Sequence, residues 1–531
     1  MRVGPGDVRG PTRRPRPGGT LDAMTSAFDR RTLLVGLLAG AALAGTGIAV
    51  SPGSGVPRSA PRPAPPPRPL AVPPLAPSTS DGGVRTFRLT AAPGSAALLP
   101  GAATPTWGYG LPFGGPTLRA ARGERVRVHV TNRLPETTTA HWHGMTLPAA
   151  ADGGPHQPID PGATWSPEWT VEQPAATLWY HPHPHGATER HVHRGLSGLF
   201  LLDDADGPVT ALPHRYGLDD IPVVVTDRTF TADGAFDEEH RSAHGLVGDT
   251  VLVNGTVAPY LTATTARVRL RLLDASPARS YRFARSDGRP LLLVGTDSGL
   301  LPAPLAVPDV QLTPGERAEV LLDLEPGRPV VLRSLPQDLG AVSGTERSAG
   351  ASDTLDVLRI LPADVLEPAP PLPEVLPHEP GPDPAAVTAA RRLELGDDTI
   401  DGRTMDTGRI DAVVPAGAVE VWEIANTHTR PHNLHVHDAR GQVLSAAGRD
   451  VPAAERGWKD TVYVAPRTTT RVLLRFGRHT DPHTPYMYHC HLLYHEDRGM
   501  MGQFVVVEPG GRAGPVRTRA GVGPHGGGHH G

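Results

Sequence analysis

From Val84 onward, hydrophobic and polar positions fall into short runs of Val, Leu, Thr and Arg broken by Gly, Pro and Asp. The runs VRVHVTN (126–132), VRLRLLD (268–274), AEVLLDL (318–324), VEVWEIAN (419–426), RVLLRF (471–476) and FVVVE (504–508) alternate or cluster as β-strands do. Three of them end in Asn or Asp, residues that favour turns. A second regularity overlies the first: GERVRVHVTN (123–132), PGERAEVLLDL (314–324) and PAGAVEVWEIAN (415–426) each set a glycine turn before an alternating strand. Three similar β units are therefore expected.

Breaks between the units are expected in the polar stretch Asp203–Asp219 and the proline-rich stretch Pro362–Pro384. The chain then divides into a leader and spacer (1–82), β units at 83–208, 218–362 and 386–509, and a Gly/His-rich tail (510–531) ending HGGGHHG. With 61 Gly and 60 Pro but only 5% aromatics in 531 residues, the composition reads as loop-rich β structure. An all-β protein is the expectation. Positive charge is nearly all arginine, Lys459 being the sole lysine. Residues 1–50 carry seven Arg against three Asp, so the body is more acidic than the whole-chain charge of −4. That balance argues against nucleic acid as a partner.

At the N-terminus Arg30 and Arg31 precede Thr32–Val50, an uncharged run of Leu, Val, Ala and Gly, and Met24 offers an alternative start. This layout resembles a twin-arginine export signal, which carries proteins that have already folded and taken up their cofactor. It predicts a periplasmic, cell-envelope or extracellular protein with no stable membrane partner once the signal is removed. The alternative is a weakly hydrophobic anchor. Pro57–Pro77 is expected to be an extended, disordered spacer, and the tail beyond Gly510 a disordered end.

Chemistry enters with the histidines. HWHG (141–144), WYHPHPHG (179–186), RPHNLHVHD (430–438) and YHCHLLYH (488–495) come two from the first third and two from the last. A His-x-His on a strand puts both imidazoles on one face. Four such pairs supply eight nitrogens, more than one zinc ion takes, so a multinuclear cluster between the first and third β units is expected. Cys490, the sole cysteine, lies between His489 and His491 and has no disulfide partner. In an extended segment its thiol faces away from the two imidazoles and serves a different metal. His432 and His495 are its spare companions, with Met500 able to lie axial. Two His, one Cys and a weak Met describe a blue-copper electron-transfer centre. His185, His191 and His193 remain open as further candidates.

These motifs resemble the multicopper oxidases, most closely the three-domain bacterial laccase and cuprous-oxidase branch, over about residues 84–508. DTVLVNG (249–255) and RLRLLDASPARSYRFARSDGRPL (269–291) resemble that branch too, though they hold no copper ligand. The resemblance implies three cupredoxin-like Greek-key β-barrel domains. It also implies four coppers per chain. His141 and His435 would bind type 2 copper; His143, His181, His183, His437, His489 and His491 the type 3 pair; and His432, Cys490, His495 and Met500 type 1. His185, His191 and His193 are thereby demoted, and Met500 is preferred to Met501 by its spacing from the cysteine.

The implied reaction passes single electrons from a reductant through type 1 copper and Cys490 to the cluster, where dioxygen leaves as two waters. Asp152, in ADGGP, and Glu496, directly after His495, match acids that help deliver protons; the alternative for each is a turn or a hydrogen bond to a ligand. Three positions depart from the family: Asn433 stands where Pro is usual, Asp438 where Gly is usual, and Asp401 where Asn is frequent. Two reductant classes are expected, phenols and similar aromatics in a laccase or Cu(I) in a cuprous oxidase. Seven methionines without a cluster favour the laccase. A non-catalytic copper-binding protein on the same fold is the third alternative.

Overall fold

The computed structural model describes Met1 and residues 65–207, 209–340 and 345–517. The twin-arginine segment and the histidines of the tail lie outside these residues. Six β-sheets pair into three two-sheet units, each around its own apolar core. In the first unit the strand Arg125–Asn132 turns Val126, Val128 and Val130 fully inward while Arg125, Arg127 and His129 stay at least partly exposed. Each of those valines stabilises the barrel by roughly 1.5–3 kcal/mol. The two sheets of this unit are built on Val84–Ala96 paired with Arg125–Asn132, and on the order Leu118–Ala121, Gly198–Asp203, Ala176–His181, His141–His143.

The recurring glycine turns are real local features, since Gly123, Gly315 and Gly417 all have positive φ, at 88°, 89° and 69°. The strands that follow them are not topological equivalents. Arg125–Asn132 and Val419–Asn426 pair in parallel with the early strands Val84–Ala96 and Val387–Leu395 of their units. In the second unit that parallel place belongs to Arg267–Asp274, beside Asp220–Arg228, and Arg317–Asp323 runs antiparallel to it. A turn-plus-strand signal is local, whereas pairing partners are chosen by the whole sheet.

Two segments expected to be disordered are ordered where they are described. Arg68–Pro69 pairs with Pro259–Thr265 at the edge of the second unit, and Pro74 and Ala76 then exchange backbone hydrogen bonds with Thr117 of the first. The prolines fix the strap in an extended path, and the N–H groups of Arg68, Leu70, Ala71 and Ala76 find acceptors. Near the other end, Gly514 and Arg517 donate to the carbonyls of Pro482 and His483. No helix among the described residues is long and apolar enough to cross a membrane.

The sequence VRLRLLD alternates, but its strand Arg267–Asp274 is buried on both faces. The first unit covers the arginine side. Arg269 and Arg271 both pair with Glu319, Arg271 also with Asp220 and with Thr177 of the first barrel. Burial pushes the Glu319 carboxyl up, but the two guanidinium groups outweigh it and hold it at about 2. A carboxylate with a depressed pKa stabilises the fold above its ordinary value of 4.5 and loses that contribution as pH falls toward about 2. Wild-type Tm should therefore drop across this window. Glu319→Gln should be less stable at neutral pH, by on the order of 3–5 kcal/mol, because it leaves two buried cations underpaired. Its Tm should also depend less steeply on pH in the same window, and calorimetric curves parallel to wild type would reject the assignment.

Candidate metal centre

Two strand pairs, one from the first barrel and one from the third, carry most of the site. His141–His143 lies antiparallel to Ala176–His181 with His141 opposite His181, and His432–Val436 lies antiparallel to Tyr486–His489 with His435 opposite His489. Period-two alternation sends His141 and His143 the same way, their ring centroids 5.8 Å apart. The third barrel answers with His435 and His437. His141 then stacks on His437 at 3.9 Å and His143 on His435 at 3.6 Å, each stack taking one ring from each barrel. His181, His183, His489 and His491 close the group, with His183 Nε2 3.1 Å from His489 Nε2 and His437 Nε2 3.3 Å from the same atom. All eight rings are buried.

What these rings can hold follows from where their other nitrogens go. His141 Nδ1 donates to the Asp152 carbonyl at 3.0 Å, His437 Nδ1 to Asp152 Oδ2 at 2.7 Å, and His435 Nδ1 to the Asp460 carbonyl at 2.9 Å. His181 Nδ1 donates to the Pro182 carbonyl at 2.8 Å, while Glu496 reaches Nδ1 of both His183 and His489 at 3.1 Å. Each such bond fixes a tautomer and turns the Nε2 lone pair toward the common centre. His143 is reversed, since its Nε2 lies 3.1 Å from both Asp460 Oδ1 and Thr461 Oγ1 and its Nδ1 faces the cluster. Burial holds His143, His181, His183, His435, His437 and His491 far below the usual imidazole range, which keeps their lone pairs free to act as donors. Among the buried atoms without a hydrogen-bond partner are His141 Nε2, His435 Nε2 and both ring nitrogens of His491. Lone pairs converging without protons between them need cations, and eight donors exceed the four a single zinc takes.

The second site adjoins the first through the chain itself. The strand ends at His489 and a short helix begins at Leu493, so the His489–His491 segment is not extended throughout. The expected separation of side chains nevertheless holds: His489 and His491 face the cluster, and the Cys490 sulfur faces His432 Nδ1 at 3.5 Å and His495 Nδ1 at 3.7 Å. Those two nitrogens are 3.2 Å apart. Met500 is buried in the same core cluster as Cys490 and is tied to the site by backbone bonds to His495 and Cys490. Met501 instead packs with Met405 and Met487. Burial raises the Cys490 thiol to about 12 and lowers His495 to about 4, so a soft cation here has to displace the thiol proton.

His185, His191 and His193 do not join either group: His191 is bonded to Glu136 and Thr138, His193 packs edge-on against Phe236, and His185 is exposed. The departures have structural roles. Asn433 accepts the His491 N–H at 2.7 Å and donates to Thr313 and Pro314 of the second barrel, which keeps the loop tied down without a proline. Asp438 takes the positive φ of 50° that a glycine would take. Asp401 does the same at a turn, where its side chain accepts the Glu394 N–H. Two contacts escaped the sequence reading. Asp460 touches His143 and His435, and the carbonyl of Ala243, from the second barrel, caps His495 Nε2 at 3.1 Å. Neither sits in a motif; the one hint was the solitary Lys459 beside Asp460.

Residues 90–207 and 378–510 each match the description "Multicopper oxidase". The chain is 35% identical to the cell division protein FtsP of Xenorhabdus nematophila over 75% of its length and 85% of that protein. It is 33% identical to the multicopper oxidase mco of Staphylococcus haemolyticus, over 82% of this chain and 91% of the relative. Among solved structures, the laccase-like multicopper oxidase CueO of an Ochrobactrum species superposes with a TM-score of 0.76 at 34% identity, covering 83% of this chain and all of that one. Its cupredoxin-like barrels, its two adjoining donor sites and these matches together show that the chain belongs to the multicopper oxidase family.

Proposed function

We propose that this protein is a laccase-like oxidase, coupling one-electron oxidation of phenolic or other small reductants to the four-electron reduction of dioxygen to water. The observation that carries the reading is the complete, buried donor set, in which one peptide segment, His489–Cys490–His491, belongs to both sites. In this reading His141 and His435 hold type 2 copper. His143, His181, His183, His437, His489 and His491 hold the type 3 pair, and His432, Cys490, His495 and Met500 hold type 1. Copper, four ions when fully bound, supplies the electron-transfer and oxygen chemistry. Thiolate, imidazole and thioether together suit copper better than a hard cation.

The protein's part is geometry, exclusion of water and proton handling. Asp152 orients one ligand from each barrel, His141 through its carbonyl and His437 through Oδ2, and its Oδ1 lacks a hydrogen-bond partner in the same buried place. A carboxylate so placed can hold a proton at Oδ1 for delivery to reduced oxygen. Glu496 faces His183 and His489 with one oxygen each, and those rings outweigh burial and hold its carboxyl down at about 2, so a proton it delivers is passed on and not stored. Both acids also act as positioning groups, so their removal disturbs ligands and protons together.

The reductant is bounded by the cap. His432 and His495 are fully buried, and His495 Nε2 already donates to Ala243, itself exposed. An electron therefore enters across the Ala243 carbonyl, without a direct hydrogen bond from substrate to imidazole. This favours small or loosely docking reductants and keeps Cu(I) as the second reading. Every described methionine except Met1 is buried, so no thioether stands ready at the surface to receive Cu(I), which favours the laccase reading. The Ochrobactrum relative is described as active on lignin model compounds and lignosulfonate. The FtsP relatives are named for cell division, and a binding role would follow if copper loads without oxygen uptake. We further propose export, directed by the twin-arginine segment, to the periplasm, envelope or outside.

The test is copper content and visible absorption after loading with Cu(II), with oxygen uptake on a phenol and on Cu(I) in one preparation. About four coppers, intense blue colour and faster uptake with the phenol are expected. Full loading without uptake would sink the oxidase reading. Cys490→Ser should lose the blue colour and nearly all activity while keeping its Tm within a few degrees, because serine fills the same buried volume. Met500→Leu should raise the reduction potential of the blue site, since removing a weak donor destabilises Cu(II) more than Cu(I). Met501→Leu should leave it unchanged, and equal effects from both would undo the axial assignment.

A further inference from the structure

The second barrel supplies no ligand, yet one of its residues is in contact with all three barrels beside the histidine cluster. Arg317 is fully buried, and its five N–H groups meet five acceptors. Nε donates to the Thr177 carbonyl of the first barrel at 2.9 Å; within its own barrel Nη1 donates to the Gly315 carbonyl at 3.1 Å and Nη2 to the Asp297 carbonyl at 2.8 Å. The remaining two form a bidentate pair with Asp460 of the third barrel at 2.7 and 2.6 Å. The pair is planar and two-pronged, a geometry that lysine does not reproduce.

Asp460 is where this clamp meets the ligands. Its Oδ1 accepts from His143 Nε2 at 3.1 Å, and its backbone carbonyl accepts from His435 Nδ1 at 2.9 Å. One residue thus anchors both rings of a stack, one ring from each copper-binding barrel. The loop before Arg317 presses on one ring of that stack and on His491: a Cβ on Gly315 would lie 3.0 Å from His491 and 3.2 Å from His143. The glycine of HWHG has its reason here as well, because a Cβ on Gly144 would fall 2.5 Å from Asp460 Oδ2 and 2.7 Å from Arg317 Nη2. Lys459 secures the far side, bound to Asp297 and Glu316.

We propose that Arg317 is a positioning residue for the cluster: through Asp460 it fixes His143 in the Nε2–H tautomer, so that this ring presents Nδ1 to metal where His435, stacked on it, presents Nε2. The second barrel thereby sets the cluster's geometry without touching a metal. The inference rests on the copper reading for its consequence, but the tautomer is a property of the metal-free chain.

Two measurements test it on full-length protein. In the metal-free, 15N-histidine-labelled protein, the His143 signal, assigned by its loss in His143→Gln, should show the Nε2–H tautomer in wild type. In Arg317→Met and Asp460→Asn the signal should show the other tautomer or a mixture, and Arg317→Lys should fall between. An Nδ1–H tautomer in wild type overturns the proposal. After Cu(II) loading, both variants should keep the blue absorption of the Cys490 site while total copper falls below wild type. Their kcat should drop at least tenfold with KM for the reductant unchanged, because the reductant enters at the other site. Parallel loss of blue colour, cluster copper and fold would mean that Arg317 is only interdomain glue and would overturn the positioning role. So would full copper and unchanged kcat. A wild type that takes up no copper defeats the oxidase reading, and the tautomer result then stands or falls by itself.

Discussion

Eight buried imidazoles cannot share one dry volume unless most of them are held by an outer nitrogen. Lone pairs turned toward a common point repel one another, and burial strips away the water that would separate them. The structure meets this constraint with acceptors arranged behind the rings: Asp152 and Asp460 behind the rings that stack across the barrels, Glu496 and Pro182 behind others. Each acceptor sets a tautomer as well as an orientation. The cost of gathering the donors is met by ordinary hydrogen bonds in the surrounding protein, and the same bonds leave the inner nitrogens free for cations.

This arrangement explains why the site lies between barrels. Within one strand, alternation can present two rings to one side and no more. Stacking His141 on His437 and His143 on His435 doubles the number while adding ring contact across the interface. The interface then has to be rigid. Buried charged groups supply that rigidity around the second barrel, where Arg271 reaches across to Thr177 and Arg317 to Thr177 and Asp460, with the Arg269–Glu319 pair behind them. Such pairs are weak sources of net stability but severe on misalignment, since losing one partner strands a buried charge.

The one-residue step from Cys490 to His489 and His491 gives the two sites a fixed separation. The turn that follows His489 also brings His495 back to the sulfur and Met500 into the same buried core, the helix Leu493–Asp497 carrying His495. Ala243 then covers the outer edge of His495, so the second barrel reaches both donor sites, one through the Ala243 carbonyl and the other through Arg317 and Asp460.

By itself the sequence determined what depends on neighbours along the chain. Alternation in VRVHVTN marked a half-buried strand, His-x-His spacing determined which rings could share a face, and the position of Cys490 separated its thiol from its flanking histidines. The candidate donors were legible because His and Cys at such spacings have few other uses. Only the tertiary structure decided what depends on distant chain segments: that VRLRLLD is buried on both faces, that the proline strap is ordered against two barrels, that the second repeat-like turn belongs to a different strand position, and that Asp460 and Ala243 touch the candidate donors. None of these leaves a periodic or motif signal, because a contact across a domain interface depends on where two folded surfaces meet.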